Sequence, residues 1–295
     1  MGLTLGEGGT PLVKAPRMSA TLGCELWLKC EGLNPTGSFK DRGMAVAVGR
    51  AAENGARAIV CASTGNTAAS AATYAARAGL ACVVLTPEGA TATAKRAQAH
   101  AAGARVVEVR GTFDDALRLC RELAEQEGYV LVNSLNPDRI EGQKSVVGEI
   151  VEQLGRTPET IALPYGGGGN VSAVAATGVE SRIVVGEAAE RATTFASAIR
   201  IGAPAHRDNV HRLDVEVVAL SEDELRDAWR RLAREEGVFC EPASAAGVAA
   251  LVKAGVEGTA VAIVTGHGLK DAGAVDVSAA QVVDADIDAV LEVLQ

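Results

Sequence analysis

Short runs rich in Val, Ile, Leu and Ala alternate along the chain with longer helix-like stretches. The runs occupy 25–30, 58–63, 81–86, 105–109, 129–133, 160–165, 182–188 and 259–266; the stretches between them predict helices over 38–54, 66–78, 93–102, 112–127, 142–154, 170–177 and 190–200. Strand followed by helix, many times over, is the signature of parallel sheets covered by helices on both faces. The runs alternate poorly between apolar and polar residues, as strands buried on both faces do. Gly79, Gly103 and Gly128 each come after a predicted helix and suit the left-handed turn that ends one. The expected class is therefore α/β, in three-layer α/β/α units.

At 295 residues the chain is long enough for roughly two domains with a cleft between them. Hydrophobic residues make up 48% and charged residues 22%, the balance of a chain that folds throughout. A net charge of -9 and only 3% aromatic residues leave neither a basic face nor a base-stacking platform, so nucleic acid is not an expected partner. No run reaches the roughly 18 apolar residues of a membrane span, and the expectation is a cytoplasmic protein. Cys24, Cys30, Cys61, Cys82, Cys120 and Cys240 form no C-x-x-C pair and read as buried free thiols. The four histidines show no ligand spacing, so no metal is expected.

Two stretches carry candidate chemistry. In "ALPYGGGGNVSAVAATG" four glycines, Gly166, Gly167, Gly168 and Gly169, lie between an apolar strand and a helix opening at Asn170. Successive glycine amides can turn toward one point, and an anion, phosphate first, is the natural guest. Val171 stands where the dinucleotide fingerprint needs its third glycine, and the lysine-serine pair of a triphosphate loop is missing. In "NPTGSFKDRGM", Lys40 stands at a helix start. A lysine paired with a phosphate cradle suits pyridoxal 5'-phosphate, which offers an aldehyde to the amine and a phosphate to the loop.

Six ordered segments, "EGLNPTGSFKDRGM", "CASTGNTAASAATYAARAG", "LVNSLNPDRIEGQK", "YGGGGN", "EEGVFCEPASAA" and "TGHGLKD", resemble those of the threonine synthases, in the tryptophan synthase β-subunit-like (fold type II) class of pyridoxal phosphate enzymes. The resemblance runs from about Gly6 to Asp271. It implies two α/β lobes with mostly parallel sheets: residues 1–42 and 141–295 as a larger cofactor-anchoring domain, and 43–140 as a smaller mobile one. It implies that Lys40 forms the Schiff base, that Gly166 to Asn170 hold the cofactor phosphate, that Asn66 bonds the ring hydroxyl and that Thr265 meets the pyridine nitrogen. Alone, Asn66 reads as a helix cap, and the alternative for Thr265 is an ordinary strand-end residue. "EPASAA" shapes the cofactor wall or begins a surface helix, and Phe39 reads as core without chemistry.

The activity implied is conversion of O-phospho-L-homoserine and water to L-threonine and phosphate, with Lys40 as the proton carrier in a cytoplasmic homodimer. A second anion site is then expected, with Ser63, Thr67, Asn133, Ser134 and Arg139 as substrate contacts. Arginine suits a phosphate because its planar donors engage two oxygens at once; the alternative for Arg139 is a surface ion pair. The loop "GGGGN" lies between the usual threonine synthase loop and the tetraglycine loop of serine or threonine dehydratases, and the segment after Asn170 is shorter than the family's. A dehydratase or related β-replacement enzyme is therefore one alternative, and a catalytically inactive homologue that binds phosphorylated amino acids is another.

Overall fold

The computed structural model describes residues 2–89, 93–126, 128–277 and 279–294. Among the described residues there are ten strands: β1 (Leu12–Lys14), β2 (Glu25–Cys30), β3 (Ala58–Ala62), β4 (Ala81–Pro87), β5 (Arg105–Val109), β6 (Tyr129–Leu131), β7 (Thr160–Pro164), β8 (Arg182–Ala188), β9 (Glu216–Leu220) and β10 (Thr259–Val264). They form two sheets, a six-stranded one in the order β1-β2-β10-β7-β8-β9 and a four-stranded one in the order β5-β4-β3-β6. Every pairing is parallel except β1 with β2. Each residue of β3, β7 and β10 is buried, which explains why these strands lack a polar face.

Helices flank both sheets. Leu26, Leu28, Leu225, Leu232 and Leu251 belong to one core of the larger sheet, and Ile150, Ile161, Val171 and Ile263 to another. Met44, Val48, Ile59 and Tyr74 pack in the smaller sheet's main core. Helix Asn66–Ala78 ends on Gly79 at φ 70°, the left-handed turn its glycine predicts. All six cysteines are free; five are buried and Cys24 is half-buried.

The chain departs from the expected elements in specific places. Over 190–200 no α-helix forms: a turn leads into a short 3₁₀ segment, Ser197–Ile199. Side chains compete for the backbone there, since Thr194 Oγ1 accepts from Ala196 N and Glu222 Oε2 accepts from Phe195 N. The helix expected over 142–154 is two, Pro137–Gln143 and Ser145–Leu154, the first opened by an Asn136 cap and Pro137. The stretch expected over 112–127 is helical over Phe113–Ala124, with Thr112 and Asp115 forming a capping box; residue 127 lies outside the described residues. Strands β1 and β9 and helices Glu222–Glu235 and Ala246–Ala254 add to the sequence pattern.

Candidate active site

The parallel topology gathers the motifs at carboxyl ends of strands, where open α/β sheets bind ligands. Strand β10 lies between β2 and β7, so the exit of β10 at Thr265, the exit of β7 at the glycine loop and the exit of β2 toward Lys40 are neighbours. From the smaller sheet, β3 leads to Ser63 and Asn66, and β6 leads to Asn133 and Ser134.

The lysine loop is stitched to the end of β10. Phe39 N donates to Thr265 O at 3.0 Å, His267 N donates to Gly37 O at 3.0 Å, and Ser38 pairs with Gly266 as an antiparallel bridge. Asp41 closes the turn, accepting from Thr36 N at 2.7 Å, Thr36 Oγ1 at 2.6 Å and Ser70 Oγ at 2.6 Å. Arg42 anchors the following helix, Lys40–Glu53, with charge-assisted bonds to Glu31 and Glu149. Lys40 is left half-buried with its Nζ 4.5 Å from the Phe39 ring centre. Burial pushes the Lys40 amine down to about 7; the positive charge of Arg139 adds to this and the Glu241 carboxylate opposes it. A lysine neutral near pH 7 can act as a nucleophile.

Asn66 does not cap its helix. The cap position is Gly65, and the Asn66 side chain turns across the cleft, Nδ2 donating to Glu241 Oε1 at 2.7 Å. Glu241 is buried, its N–H bound to Gly266 O at 3.0 Å, so "EPASAA" forms the cleft wall rather than a surface helix. Thr265 is buried, and its hydroxyl lies 3.1 Å from Ser244 Oγ.

The glycine loop is half-buried at Gly166 and Gly167, buried at Gly168 and Gly169, and supported from behind. Among the described residues, the N–H groups of Gly166, Gly167 and Gly168 meet no acceptor. Gly168 holds φ 89°, and a Cβ there would stand 2.9 Å from His206 Cβ. His206 N donates to Gly167 O at 3.1 Å, and Arg191 Nη1 donates to Gly166 O at 3.2 Å. The buried side-chain atoms Ser38 Oγ, Asn66 Oδ1 and Asn170 Nδ2 have no partner among the described residues. Free amides beside orphaned donors and acceptors fit a phosphorylated, hydroxyl-bearing ring, so the residues present suit pyridoxal phosphate.

The five expected substrate contacts stand in different conditions. Arg139 is fully buried, not in a surface pair; Nη1 donates to Val132 O at 2.9 Å while Nε and Nη2 have no partner among the described residues. Asn133 is committed at both ends of its amide to Ala62, accepting from its N–H at 2.9 Å and donating to its carbonyl at 2.8 Å. Ser63 Oγ accepts from Gly65 N at 3.0 Å, which leaves its own proton to donate. Thr67 and Ser134 are half-buried, and the Ser134 carbonyl lies 2.9 Å from His206 Nε2. Glu241, expected only as the start of the "EPASAA" wall, is a buried carboxylate of the cleft, and two buried amines there, Lys95 and Lys270, were not expected as site residues. Lys270 Nζ donates to Thr36 O at 2.7 Å beneath the lysine loop, and burial lowers its amine to about 8. Lys270 lies within "TGHGLKD", one of the segments that carry the resemblance, whereas nothing in the sequence around Lys95 marks it. A separate cavity of about 560 Å³, lined by Leu3, Arg42, Gly49 and Ser145, contains neither Lys40 nor the glycine loop.

Residues 3–266 match the family of pyridoxal-phosphate dependent enzymes, and the chain belongs to that family. Its relatives include the threonine synthase of Mycobacterium leprae (strain TN), 47% identical, with 91% of this chain and 84% of the relative covered. Among solved structures, O-ureido-L-serine-bound O-ureido-L-serine synthase superposes with a TM-score of 0.79 at 24% identity, covering 97% of this chain and 96% of the other. A threonine deaminase from T.th. superposes with a TM-score of 0.72 at 26% identity, covering 92% and 94%. Among the described residues, no helix is long and apolar enough to cross a membrane.

Proposed function

We infer that this enzyme is a threonine synthase, converting O-phospho-L-homoserine and water to L-threonine and inorganic phosphate. Pyridoxal phosphate, its cofactor, supplies a covalent attachment point and an electron sink for negative charge developing on substrate carbons. The observation that carries the substrate assignment is Arg139: a guanidinium wholly buried beside Lys40, with two donor nitrogens unmatched. Such a group needs an anion, and the glycine loop already serves the cofactor's own. The phosphate of O-phospho-L-homoserine answers that need.

The remaining roles follow from position. Lys40 anchors the cofactor and, once freed by substrate, takes and returns protons at the substrate's α- and β-carbons, for which an amine near neutrality is suited. Gly166 to Gly169 and Asn170 hold the cofactor phosphate, and Asn66 and Thr265 orient its ring. Arg139, with Ser63, Thr67 and Ser134, holds the substrate; Asn133 shapes that wall through Ala62. Residues 43–140 act as a lobe that closes on the larger one and excludes water until it is needed. The working form proposed is a cytoplasmic homodimer acting on a small amino acid, with neither nucleic acid nor membrane as partner.

The glycine loop favours a second reading, a serine or threonine dehydratase, because "GGGGN" lies between the usual threonine synthase loop and the tetraglycine loop of those enzymes. Purified holoenzyme given O-phospho-L-homoserine, L-threonine and L-serine separately distinguishes them. Phosphate release matched by L-threonine is the expected result. Keto acid from L-threonine or L-serine, without phosphate release from the first substrate, would replace the assignment with a dehydratase.

A further inference from the structure

Lys95, on helix Thr93–Ala101 after β4, is 2% exposed, and its ammonium lies across the cleft against the larger sheet's unit. Its Nζ is 3.0 Å from Glu241 Oε2, 3.4 Å from Ser197 Oγ and 4.0 Å from Asp271 Oδ2. Ser197 in turn donates to Asp271 Oδ2 at 2.5 Å. The other oxygen of Glu241 is the one that accepts from Asn66 Nδ2. One buried carboxylate thus meets two groups from the opposite unit: an ammonium in an ion pair with Oε2, which has no hydrogen-bond partner among the described residues, and an amide hydrogen-bonded to Oε1.

We propose that Lys95 is a positioning residue: its ammonium holds Glu241 as a pure acceptor, and Glu241 thereby fixes which way the Asn66 amide faces the cofactor ring. A carboxylate facing an ammonium accepts hydrogen bonds and donates none, so it selects Nδ2 of Asn66 and turns Oδ1 away. Glu241 cannot follow a misplaced partner. Its backbone is tied to Gly266 O, and its carboxylate is packed where a Cβ on Gly266 would stand 2.1 Å from Oε1. Without the ammonium, the buried carboxylate would keep the Asn66 amide as its hydrogen-bond partner, with the Lys40 and Lys270 amines near it but not bonded to it, an arrangement relieved by water or a proton, and either would let the amide flip. The same helix makes a second crossing one turn on, where Gln98 Nε2 donates to Thr36 O at 3.2 Å and Lys270 Nζ bonds Gln98 Oε1. Docking of helix Thr93–Ala101 and alignment of Asn66 are then one event. This rests on the seating of the ring at Asn66 proposed above, and not on which amino acid is turned over.

The test reads the visible spectrum of enzyme-bound pyridoxal phosphate against pH, without substrate, for wild type, Lys95→Met, Asn66→Ala, the double variant and Lys95→Arg. The expected result is a shift of the band's pH midpoint in Lys95→Met, restored toward wild type by Lys95→Arg. In the Asn66→Ala background, Lys95→Met should add no further shift. Hydrogen exchange at amides of helix Thr93–Ala101 should also quicken about tenfold in Lys95→Met. A wild-type spectrum for Lys95→Met, or an equal shift from that change with and without Asn66, overturns the proposal. If Lys95→Met does not fold, Lys95→Gln, which keeps a donor and removes the charge, is read by the same two criteria. Because no substrate is present, a wrong substrate assignment leaves these outcomes unchanged.

Discussion

Phe39 donates its backbone N–H to the carbonyl of Thr265 at 3.0 Å, which ties the residue before Lys40 to the end of β10. Gly266, next along, has Glu241 packed on its Cα: an added Cβ would meet Oε1 at 2.1 Å and Cδ at 2.6 Å. Gly266→Ala must therefore push the carboxylate off Asn66 or the lysine loop off the strand. Overpacking of this sort costs about 1–3 kcal/mol. Thermal unfolding of apoenzyme should fall by several degrees, and cofactor occupancy by absorbance should drop with it; unchanged values would show that the carboxylate moves freely.

Gly168→Ala tests the phosphate cradle. At φ 89° a side chain is strained by about 1–2 kcal/mol, and its Cβ would also lie 2.9 Å from His206 Cβ and 3.0 Å from Val210 Cγ2. The loop must reshape, so affinity for pyridoxal phosphate should fall by about tenfold or more. Equilibrium titration of apoenzyme measures it, and wild-type affinity would place the phosphate elsewhere.

The lysine loop and glycine loop were legible because each is contiguous: "NPTGSFKDRG" contains both the reactive amine and the Asp41 that closes its turn, and "GGGGN" contains its own amides. The Asn66 partner was not legible, since Glu241 lies 175 residues away and only the crossing of two sheets brings them together. Asn133 was expected through the resemblance as a substrate contact, but not as a residue whose amide is taken by Ala62 of another strand. Over 190–200 the helical composition misled because Thr194 and Glu222 satisfy amides that a helix would have used.

The Lys40 amine, held down to about 7 chiefly by burial, gives a pH signature. Only the neutral amine attacks an aldehyde, so capture of pyridoxal phosphate by apoenzyme should quicken with pH and level off above about 7, not near the ordinary 10.4. Between those values the folded chain binds fewer protons than the unfolded one, so Lys40 makes apoenzyme stability rise with pH. Lys40→Met should remove the part of that rise that begins near 7, leaving the part that Lys270, lowered to about 8, contributes at higher pH, and should abolish all turnover. Stopped-flow absorbance and denaturant titrations at several pH values check both signs; capture still climbing at pH 9 would refute the shift.

Arg139→Lys keeps a charge but loses the planar fork. Hydrogen bonds to a charged group are worth about 1.5–3 kcal/mol, so kcat/KM for O-phospho-L-homoserine should fall roughly ten- to hundredfold. The cofactor spectrum should remain that of wild type, because the fork serves the second anion. Phosphate-release kinetics read the first and absorbance the second; an altered spectrum with unchanged kcat/KM would reassign Arg139 to the cofactor.

Arg42, two residues beyond Lys40, fixes the helix that presents the amine. Its Nε and Nη2 reach the two oxygens of Glu31 at 2.7 and 2.8 Å, and its Nη1 and Nη2 reach those of Glu149 at 2.7 Å each. Glu31 is wholly buried, so Arg42→Leu strands an anion and should cost about 3–5 kcal/mol of apoenzyme stability. Burial alone would raise the Glu149 carboxyl, but hydrogen bonds from Arg42 and Lys29 bring it down to about 2. A carboxylate so lowered contributes stability that is complete above about 4.3 and is lost as the pH falls toward 2. Arg42→Leu should therefore flatten the acid limb of the stability curve as well as lower its plateau. Denaturant unfolding between pH 3 and neutrality, taken over about four units to span both regimes, separates the two effects. A lowered plateau with an unchanged acid limb would mean that Lys29 alone holds Glu149.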